Sequence, residues 1–303
     1  MADREHLALL LQGVDIWNRH KQERFDTEID LARAELEATN LGGGYFQQAN
    51  LSRVNFTRAN LNRANFNRAN LSEANLEQAC LSRACLNQAD LKRAILFGAK
   101  INGANLMGAC LTGADIQSAK LINANLTAAT LEEAIFWKSN LSGAILRRVN
   151  LNRAILQETN LWKADLQEAD LQGVYVMQVN LNKANLRGTN LKRSLFKKTS
   201  FWQTNLEGAC LKEAYFRTTV FDQTNLAGVC LQDANLEGVI FKSVNLAGAN
   251  LAGANLERAV FIGVNLDATN FTSASFDRTI FREVNLETTL GFDRSLDRKA
   301  LIY

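Results

Sequence analysis

The sequence predicts an all-β solenoid, a quadrilateral parallel β-helix, because two residue types recur with a period of five. Every residue whose number ends in 1 or 6, from Leu31 to Leu286, is Leu, Phe, Ile or Val, with no insertion or deletion. Two positions before each stands a small residue, mostly Ala, and the residue between them is commonly Asn or Asp. Ile29, the first of the small positions, is the one large exception.

Residues that recur every five positions do not lie on one face of an α-helix, nor on one face of a β-strand. On an α-helix five residues advance about 140° beyond a full turn, and on a strand they reverse the face. The chain must therefore turn once per unit, so that four units close a square coil of 20 residues. Stacked at the strand spacing of about 4.8 Å, such coils bury both columns. Residues 29–288 then predict about 13 coils.

The N-terminal segment, 1–28, lacks the repeat and predicts a capping α-helix. Leu7, Leu10, Val14 and Trp17 form one apolar stripe at helical spacing. We expect this helix to lie across the first coil and cover its open edge, as the terminal units of repeat proteins require. A helix that binds a partner is the alternative.

The C-terminal segment, 289–303, predicts a cap or a tail, because the repeat ends at Gly291. Its apolar residues are Phe292, Leu296, Leu301 and Ile302. They either fold over the last coil or form a homodimer contact through the C-terminal end.

The units, such as Ala59-Asn60-Leu61-Asn62-Arg63, closely resemble those of the pentapeptide repeat family. A second likeness, to cyanobacterial members, is the leader LL-x-GV-x-x-WN-x-R, matched by Leu10, Leu11, Gly13, Val14, Trp17, Asn18 and Arg19. The resemblance implies a right-handed quadrilateral β-helix. It also implies a role in protein interaction or regulation, and it carries no catalytic residues over to this chain.

Surface features of such a coil are found at a spacing of 20 residues, which places them on one face. At the position that usually holds Asn, one face instead carries large apolar side chains, Ile135, Ile155, Tyr175, Leu195 and Tyr215, and Trp137 and Met177 lie beside them. An exposed apolar patch predicts a partner-binding face. The alternative is that these residues simply favour β-strands and stack in ladders.

A second apolar face is predicted near the C-terminus. Phe201, Phe221, Phe241, Phe261 and Phe281 are expected to form a core stack. Outside this stack lie Val220, Ile240, Val260 and Ile280, with Trp202 on the same side. We interpret this outer column either as strand propensity or as a contact face for a partner or a second copy.

Four arginines are evenly spaced, at Arg53, Arg58, Arg63 and Arg68, but the chain turns one corner of the coil for every five residues. Each therefore lies on a different side of the coil, and together they form a girdle rather than a basic track. Twenty residues above Arg53 stands Glu73, so we expect an ion pair between coils. Such a surface pair contributes less than about 1 kcal/mol.

The sequence predicts neither an enzyme nor a metal or cofactor site. His6 and His20 are the only histidines, and both precede the repeat. Metal sites need clustered ligands, whereas Cys210 and Cys230 replace Asn in the repeat and are interpreted as filler. The short apolar run 7–11 is too brief for a membrane span. We expect a cytoplasmic protein with reduced thiols.

The leading hypothesis for function is a non-catalytic scaffold or regulatory protein that presents flat β-helix faces to an unidentified protein partner. The alternative is a DNA mimic that modulates a type II topoisomerase such as gyrase. That role needs a strongly acidic face, whereas the net charge is +3. Direct binding of nucleic acid is disfavoured because the basic residues between 183 and 198 span less than one coil and wrap around it.

Overall fold

The computed structural model describes residues 2–24, 28–292 and 301–302. The chain forms two compact units, Met1–Asn150 and Leu151–Tyr303, called unit 1 and unit 2 below. Leu296 lies outside the described residues. The division of the sequence into 1–28, 29–288 and 289–303 stays a prediction.

Parallel pairing between residues 20 apart defines the architecture of each unit. In unit 1 one column of bridges runs from Asp30 to Asn50 and continues in steps of 20 to Asn150. In unit 2 another column runs from Asn160 to Asn180 and beyond. Each bridge is part of a backbone ladder, with Leu51 N donating to Asn70 O at 2.7 Å as one of many rungs. The predicted parallel β-helix is therefore confirmed.

The interior of each coil holds the two predicted columns. The Leu/Phe positions and the small positions are almost all buried, most of them 0–1% exposed. Some small positions hold threonine, and its buried hydroxyl donates to a carbonyl of the neighbouring coil, as Thr204 Oγ1 does to Leu181 O at 2.9 Å. This bond offsets the cost of burying a hydroxyl, so threonine fits a site made for alanine.

The Asn or Asp that stands between the small residue and the Leu or Phe of each unit stabilises the corners. The Asn55 Oδ1 atom accepts from the backbone N–H of Thr57 at 3.1 Å, and Asn160 Oδ1 accepts from Trp162 N–H at 3.1 Å. Aspartate does the same at Asp115, whose Oδ1 accepts from Gln117 N–H at 3.1 Å. A short side-chain acceptor that bonds the backbone two residues ahead is typical of turns, which explains the residue preference of the repeat.

The fifth position of the unit adopts a left-handed backbone conformation at corner after corner. Arg53, Arg58, Arg63 and Arg68 have φ of 58°, 57°, 57° and 57°. This conformation costs about 1–2 kcal/mol for a residue with a Cβ atom. The even spacing of the arginines thus reflects corner geometry. The predicted pair is confirmed, since Arg53 Nε lies 2.9 Å from Glu73 Oε2.

Two adjacent alanines of unit 1 allow a direct test of this corner strain. Ala128 is exposed with φ 55°, whereas Ala129 is 1% exposed and outside the positive-φ set. We expect Ala128→Gly to stabilise by about 0.5 kcal/mol, because the relieved strain exceeds the entropy lost. Ala129→Gly should destabilise by at least about 1 kcal/mol. Urea denaturation of both variants measures the signs, and destabilisation by Ala128→Gly would contradict the argument.

The N-terminal cap consists of two helices, α1 Arg4–Leu10 and α2 Val14–Glu23. The sequence predicts one helix, and Gly13, with φ 122°, breaks it. Leu10 and Trp17 are 1% and 0% exposed, while Leu7 and Val14 are half-buried. The apolar stripe therefore faces the protein from two helices instead of one.

Extended strands occur in unit 2, where both sheets are parallel and in register. The strands are β1 Tyr175–Met177, β2 Leu195–Lys197 and β3 Tyr215–Arg217 in one sheet, and β4 Val220–Asp222, β5 Ile240–Lys242, β6 Val260–Ile262, β7 Ile280–Arg282 and β8 Leu301–Ile302 in the other. Strands β1 to β7 begin with a β-branched, aromatic or leucine residue in place of Asn. Each is followed by Val or Thr at the next small position, so β-formers replace the corner chemistry.

The predicted phenylalanine stack is confirmed in strands β4 to β7 and in the coil that precedes β4. Ring centroids are 4.7 Å apart for Phe201–Phe221, 5.3 Å for Phe221–Phe241, 4.7 Å for Phe241–Phe261 and 4.8 Å for Phe261–Phe281. Phe292 continues the aromatic cluster, with its ring 5.4 Å from that of Phe281. The described part of the C-terminal segment therefore covers the end of this stack.

Candidate functional site

The first candidate surface is the aromatic column of unit 2, which comprises Ile155, Tyr175, Leu195 and Tyr215. Strand register stacks Tyr175 on Leu195 and Leu195 on Tyr215, and Ile155 bridges to Tyr175. Ile155, Tyr175 and Tyr215 are 47%, 42% and 41% exposed, and Leu195 is half-buried. Four apolar side chains thus lie in line on the outside of the unit.

Met177 broadens the aromatic column at its first strand. The Tyr175 hydroxyl donates to Met177 Sδ at 3.1 Å, and Met177 is half-buried. The tyrosine therefore leans along its strand and makes the surface flatter and wider than one row of side chains.

Two residues of the predicted face belong to unit 1. Ile135 is half-buried and bridges to Asp115. Trp137 is 37% exposed, and the ammonium group of Lys138 lies 4.3 Å from its ring centroid. A cation over an indole ring stabilises both side chains, so Trp137 is held at the surface by its neighbour in the chain.

Basic residues frame the aromatic column on both sides. Lys197 pairs in register with Arg217 at the C-terminal ends of β2 and β3. Lys192 and Lys212, also 20 residues apart, lie in the turns that precede the same strands. We call these two pairs the basic columns. The aromatic column is thus bordered by cations along two of its coils.

A groove of about 320 Å³ lies on the side of Lys192 and Lys212, lined also by Gln172, Arg193 and Glu213. Arg193 Nε binds Glu213 Oε2 at 2.7 Å. This hydrogen bond from Arg193 lowers the pKa of Glu213, and the charges of Lys212 and Lys192 add to the effect. The Glu213 carboxylate therefore pairs with Arg193, and Lys212 Nζ lies 3.9 Å from Asp233 Oδ2. Lys192 is the cation of this groove that forms no ion pair with Glu213 or Asp233 among the described contacts.

The second candidate surface is the outer column of β4 to β8. Val220 and Ile240 are 42% and 38% exposed, and Val260 and Ile280 are half-buried. Leu301 of β8 extends this column, because it pairs in register with Ile280. Trp202, predicted on the same side, is half-buried, and Lys183 Nζ lies 4.6 Å from its ring centroid.

Sequence reasoning found the apolar columns and missed the basic ones. The rule of 20-residue spacing was applied to apolar side chains and to the arginines from Arg53 to Arg68, whereas the basic residues between 183 and 198 were considered only as a run along the chain. Applied to charge, the same spacing places Lys192 above Lys212 and Lys197 above Arg217. The signal was therefore present in the sequence.

Metal-ligand clusters and membrane-spanning helices are both absent from the described residues. In that part of the chain no group of three or more His, Cys, Asp or Glu is arranged to hold a metal ion. None of the helices described there is long and apolar enough to cross a membrane. Cys210 and Cys230 form a backbone β-bridge between adjacent coils, and both side chains are free thiols.

A parallel β-helix built from five-residue units with buried Ala and Leu columns defines a solenoid repeat protein. The family model for pentapeptide repeats matches eight copies across the chain, in overlapping segments that run from residues 29–68 to 249–287. The chain belongs to the pentapeptide repeat family.

Solved structures of pentapeptide repeat proteins are similar to this chain. HetL, from the cyanobacterium Nostoc sp. strain PCC 7120 and involved in heterocyst differentiation regulation, is 30% identical over 84% of this chain and 94% of its own, with a TM-score of 0.24. Rfr23 from the cyanobacterium Cyanothece 51142 is 31% identical over 47% and 91%, with a TM-score of 0.23.

A third similar structure is QnrB1, described as a plasmid-mediated fluoroquinolone resistance protein. It is 19% identical over 69% of this chain and 89% of its own, with a TM-score of 0.29. A comparison with curated proteins found no match.

Proposed function

We propose that this protein is a non-catalytic interaction scaffold that binds a protein partner through the aromatic column of unit 2. The observation that carries the proposal is the exposure of Ile155, Tyr175 and Tyr215 in one line. An apolar patch that spans several coils and has polar neighbours is typical of a protein-binding surface. Tyrosine in particular is enriched in such surfaces.

A regulatory role is part of this proposal; HetL, 30% identical over 84% of this chain, is described as involved in heterocyst differentiation regulation. A homodimer through the C-terminal end and a cytoplasmic location stay predictions from the sequence.

Imitation of DNA receives less support than protein binding. Glu237, Glu257 and Asp277 follow one another at the 20-residue spacing of unit 2, but Arg258 lies 3.5 Å from both Glu237 and Glu257. Duplex DNA carries a charge about every 1.7 Å along its axis, whereas stacked coils place carboxylates about 4.8 Å apart. This acidic row is too sparse and too well paired to imitate a duplex.

Affinity capture from the organism that encodes the protein tests the proposal. We expect Tyr175→Asp with Tyr215→Asp to abolish capture of the proteins that the wild type enriches, because two charges are placed in the apolar surface. The matched control is Phe97→Asp with Met107→Asp, two side chains of unit 1 that are 39% and 46% exposed. Quantitative mass spectrometry reads the result, and circular dichroism verifies folding. Equal capture by both double variants would refute the proposed surface.

A further inference from the structure

We infer that the occupant of the aromatic column is an acidic amphipathic helix of a partner protein, gripped between the two basic columns. This inference rests on the proposed function and adds the chemistry of the partner. Its apolar stripe would lie on Tyr175, Leu195 and Tyr215, and its carboxylates would meet Lys192 and Lys212 on one side and Lys197 and Arg217 on the other.

The distribution of charge supports an acidic occupant. The segments that form this part of three successive coils, 171–180, 191–200 and 211–220, contain Glu213 as their one acidic residue and the cations Lys192, Arg193, Lys197, Lys198, Lys212 and Arg217. The coil segment that follows, 231–240, has Asp233 and Glu237 as its only charged residues, and both are acidic. The whole chain has a net charge of only +3. Positive charge is therefore concentrated around the aromatic column.

The stacking of like charges is a second, independent observation. At some other positions opposite charges stack on adjacent coils, with Arg187 Nη2 3.4 Å from Glu207 Oε1 and Arg53 Nε 2.9 Å from Glu73 Oε2, whereas Lys100 bridges to Lys120. Lys197 likewise pairs in register with Arg217. Like charges on facing strand positions destabilise a sheet. A partner that carries carboxylates would relieve this repulsion on binding, which gives affinity to the complex.

The spacing of the column favours a helix over an extended peptide. Coils rise about 4.8 Å, and an α-helix rises 5.4 Å per turn. Apolar residues at i, i+3 or i+4, and i+7 of a helix would thus stay close to Tyr175, Leu195 and Tyr215 in turn. An extended strand presents same-side residues about 6.6–6.8 Å apart and loses register after one coil.

The same spacing disfavours single-stranded nucleic acid. Bases that stack on protein need aromatic planes, whereas Leu195 separates the two tyrosines by two coils, about 9.6 Å at strand spacing. Successive nucleotides of a strand are about 3.4 Å apart. Arg193, which would contact phosphate, is already bound to Glu213.

The experiment measures binding of a defined probe by fluorescence polarisation. The probe is a labelled synthetic helical peptide with leucine at i, i+3 and i+7 and glutamate on both flanks of this stripe. The comparison probes are the same peptide with lysine in place of glutamate, and a single-stranded thymidine oligonucleotide. We expect the full-length protein to bind the glutamate peptide at least about tenfold more tightly than either comparison probe, with affinity that falls as salt rises.

Charge-reversal variants identify the surface. Lys197→Glu with Arg217→Glu should weaken binding of the glutamate peptide by about tenfold or more. The control is Lys100→Glu with Lys120→Glu, which changes the net charge equally at two exposed lysines that bridge on adjacent coils of unit 1. Circular dichroism of both variants verifies folding. Wild-type binding of the peptide with loss only in the first variant supports the inference.

Three outcomes overturn it: preference for the oligonucleotide, equal loss in both variants, or absence of binding to the glutamate peptide. The proposed scaffold function is separable, because capture lost in Tyr175→Asp with Tyr215→Asp but kept in Lys197→Glu with Arg217→Glu would preserve the surface and reject the acidic partner.

Discussion

Replacement of Phe241 by alanine is expected to destabilise unit 2 by about 3–5 kcal/mol. Phe241 is 0% exposed and stacks between Phe221 at 5.3 Å and Phe261 at 4.7 Å. Its removal leaves a cavity in the middle of the stack. Backbone bonds on both sides, such as Ser243 N to Ile262 O at 2.9 Å, hold the coils apart, so the cavity has little room to collapse.

Urea denaturation followed by circular dichroism measures this loss, and hydrogen exchange locates it. Because each coil contacts only its neighbours, we expect exchange to accelerate first between residues 220 and 282. Phe97→Ala removes the same ring from a side chain that is 39% exposed and should change stability by less than about 0.5 kcal/mol. A loss below about 1 kcal/mol for Phe241→Ala would show that the stack closes around the gap.

The fold was predictable because a strict period leaves few geometries. Five residues per unit require a corner per unit, and the alternation of Ala and Leu states which side chains are buried; Phe241 and the other stack residues follow directly. The Asn of the unit was assigned to the surface, and the structure adds its bond to the backbone two residues ahead, as for Asn55. The left-handed corners at residues such as Arg58 were not predicted, since charged side chains do not indicate that conformation.

The break between α1 and α2 was missed because the apolar stripe continues through it. Gly13 allows a φ of 122°, but a single glycine inside a helical pattern also occurs within helices. Only the apolar part of the candidate surface was predicted from the sequence, and the reason is related. Its apolar residues depart from the repeat and are visible, whereas Lys192, Lys197, Lys212 and Arg217 occupy positions where any polar residue is ordinary. Only their stacking makes them informative.

Replacement of Trp17 by alanine is expected to cost about 3–5 kcal/mol and to make the protein self-associate. Trp17 is 0% exposed, its ring centroid lies 5.7 Å from that of Phe46, and its Nε1 donates to Tyr45 O at 2.8 Å. Its loss creates a cavity on Phe46 and leaves a backbone carbonyl without its partner, two effects that add.

The reason for self-association is the chemistry of the first coil's edge. The α2 helix satisfies backbone groups there that the preceding coil satisfies elsewhere, because Asn18 Nδ2 donates to Gly43 O at 3.0 Å and Asn18 Oδ1 accepts from Tyr45 N–H at 2.8 Å. Without the helix these groups form an open strand edge, which pairs readily with another chain. Light scattering at several protein concentrations, together with urea denaturation, measures both effects.

Trp17→Phe separates packing from hydrogen bonding. It keeps a ring against Phe46 and loses only the bond to Tyr45 O, so we expect a cost of about 1–3 kcal/mol and a monodisperse protein. A partner-binding helix, the alternative for residues 1–28, predicts something different: Trp17→Ala would then leave stability and monodispersity close to those of the wild type. The two variants together therefore decide whether Trp17 covers the edge of the first coil or serves a partner.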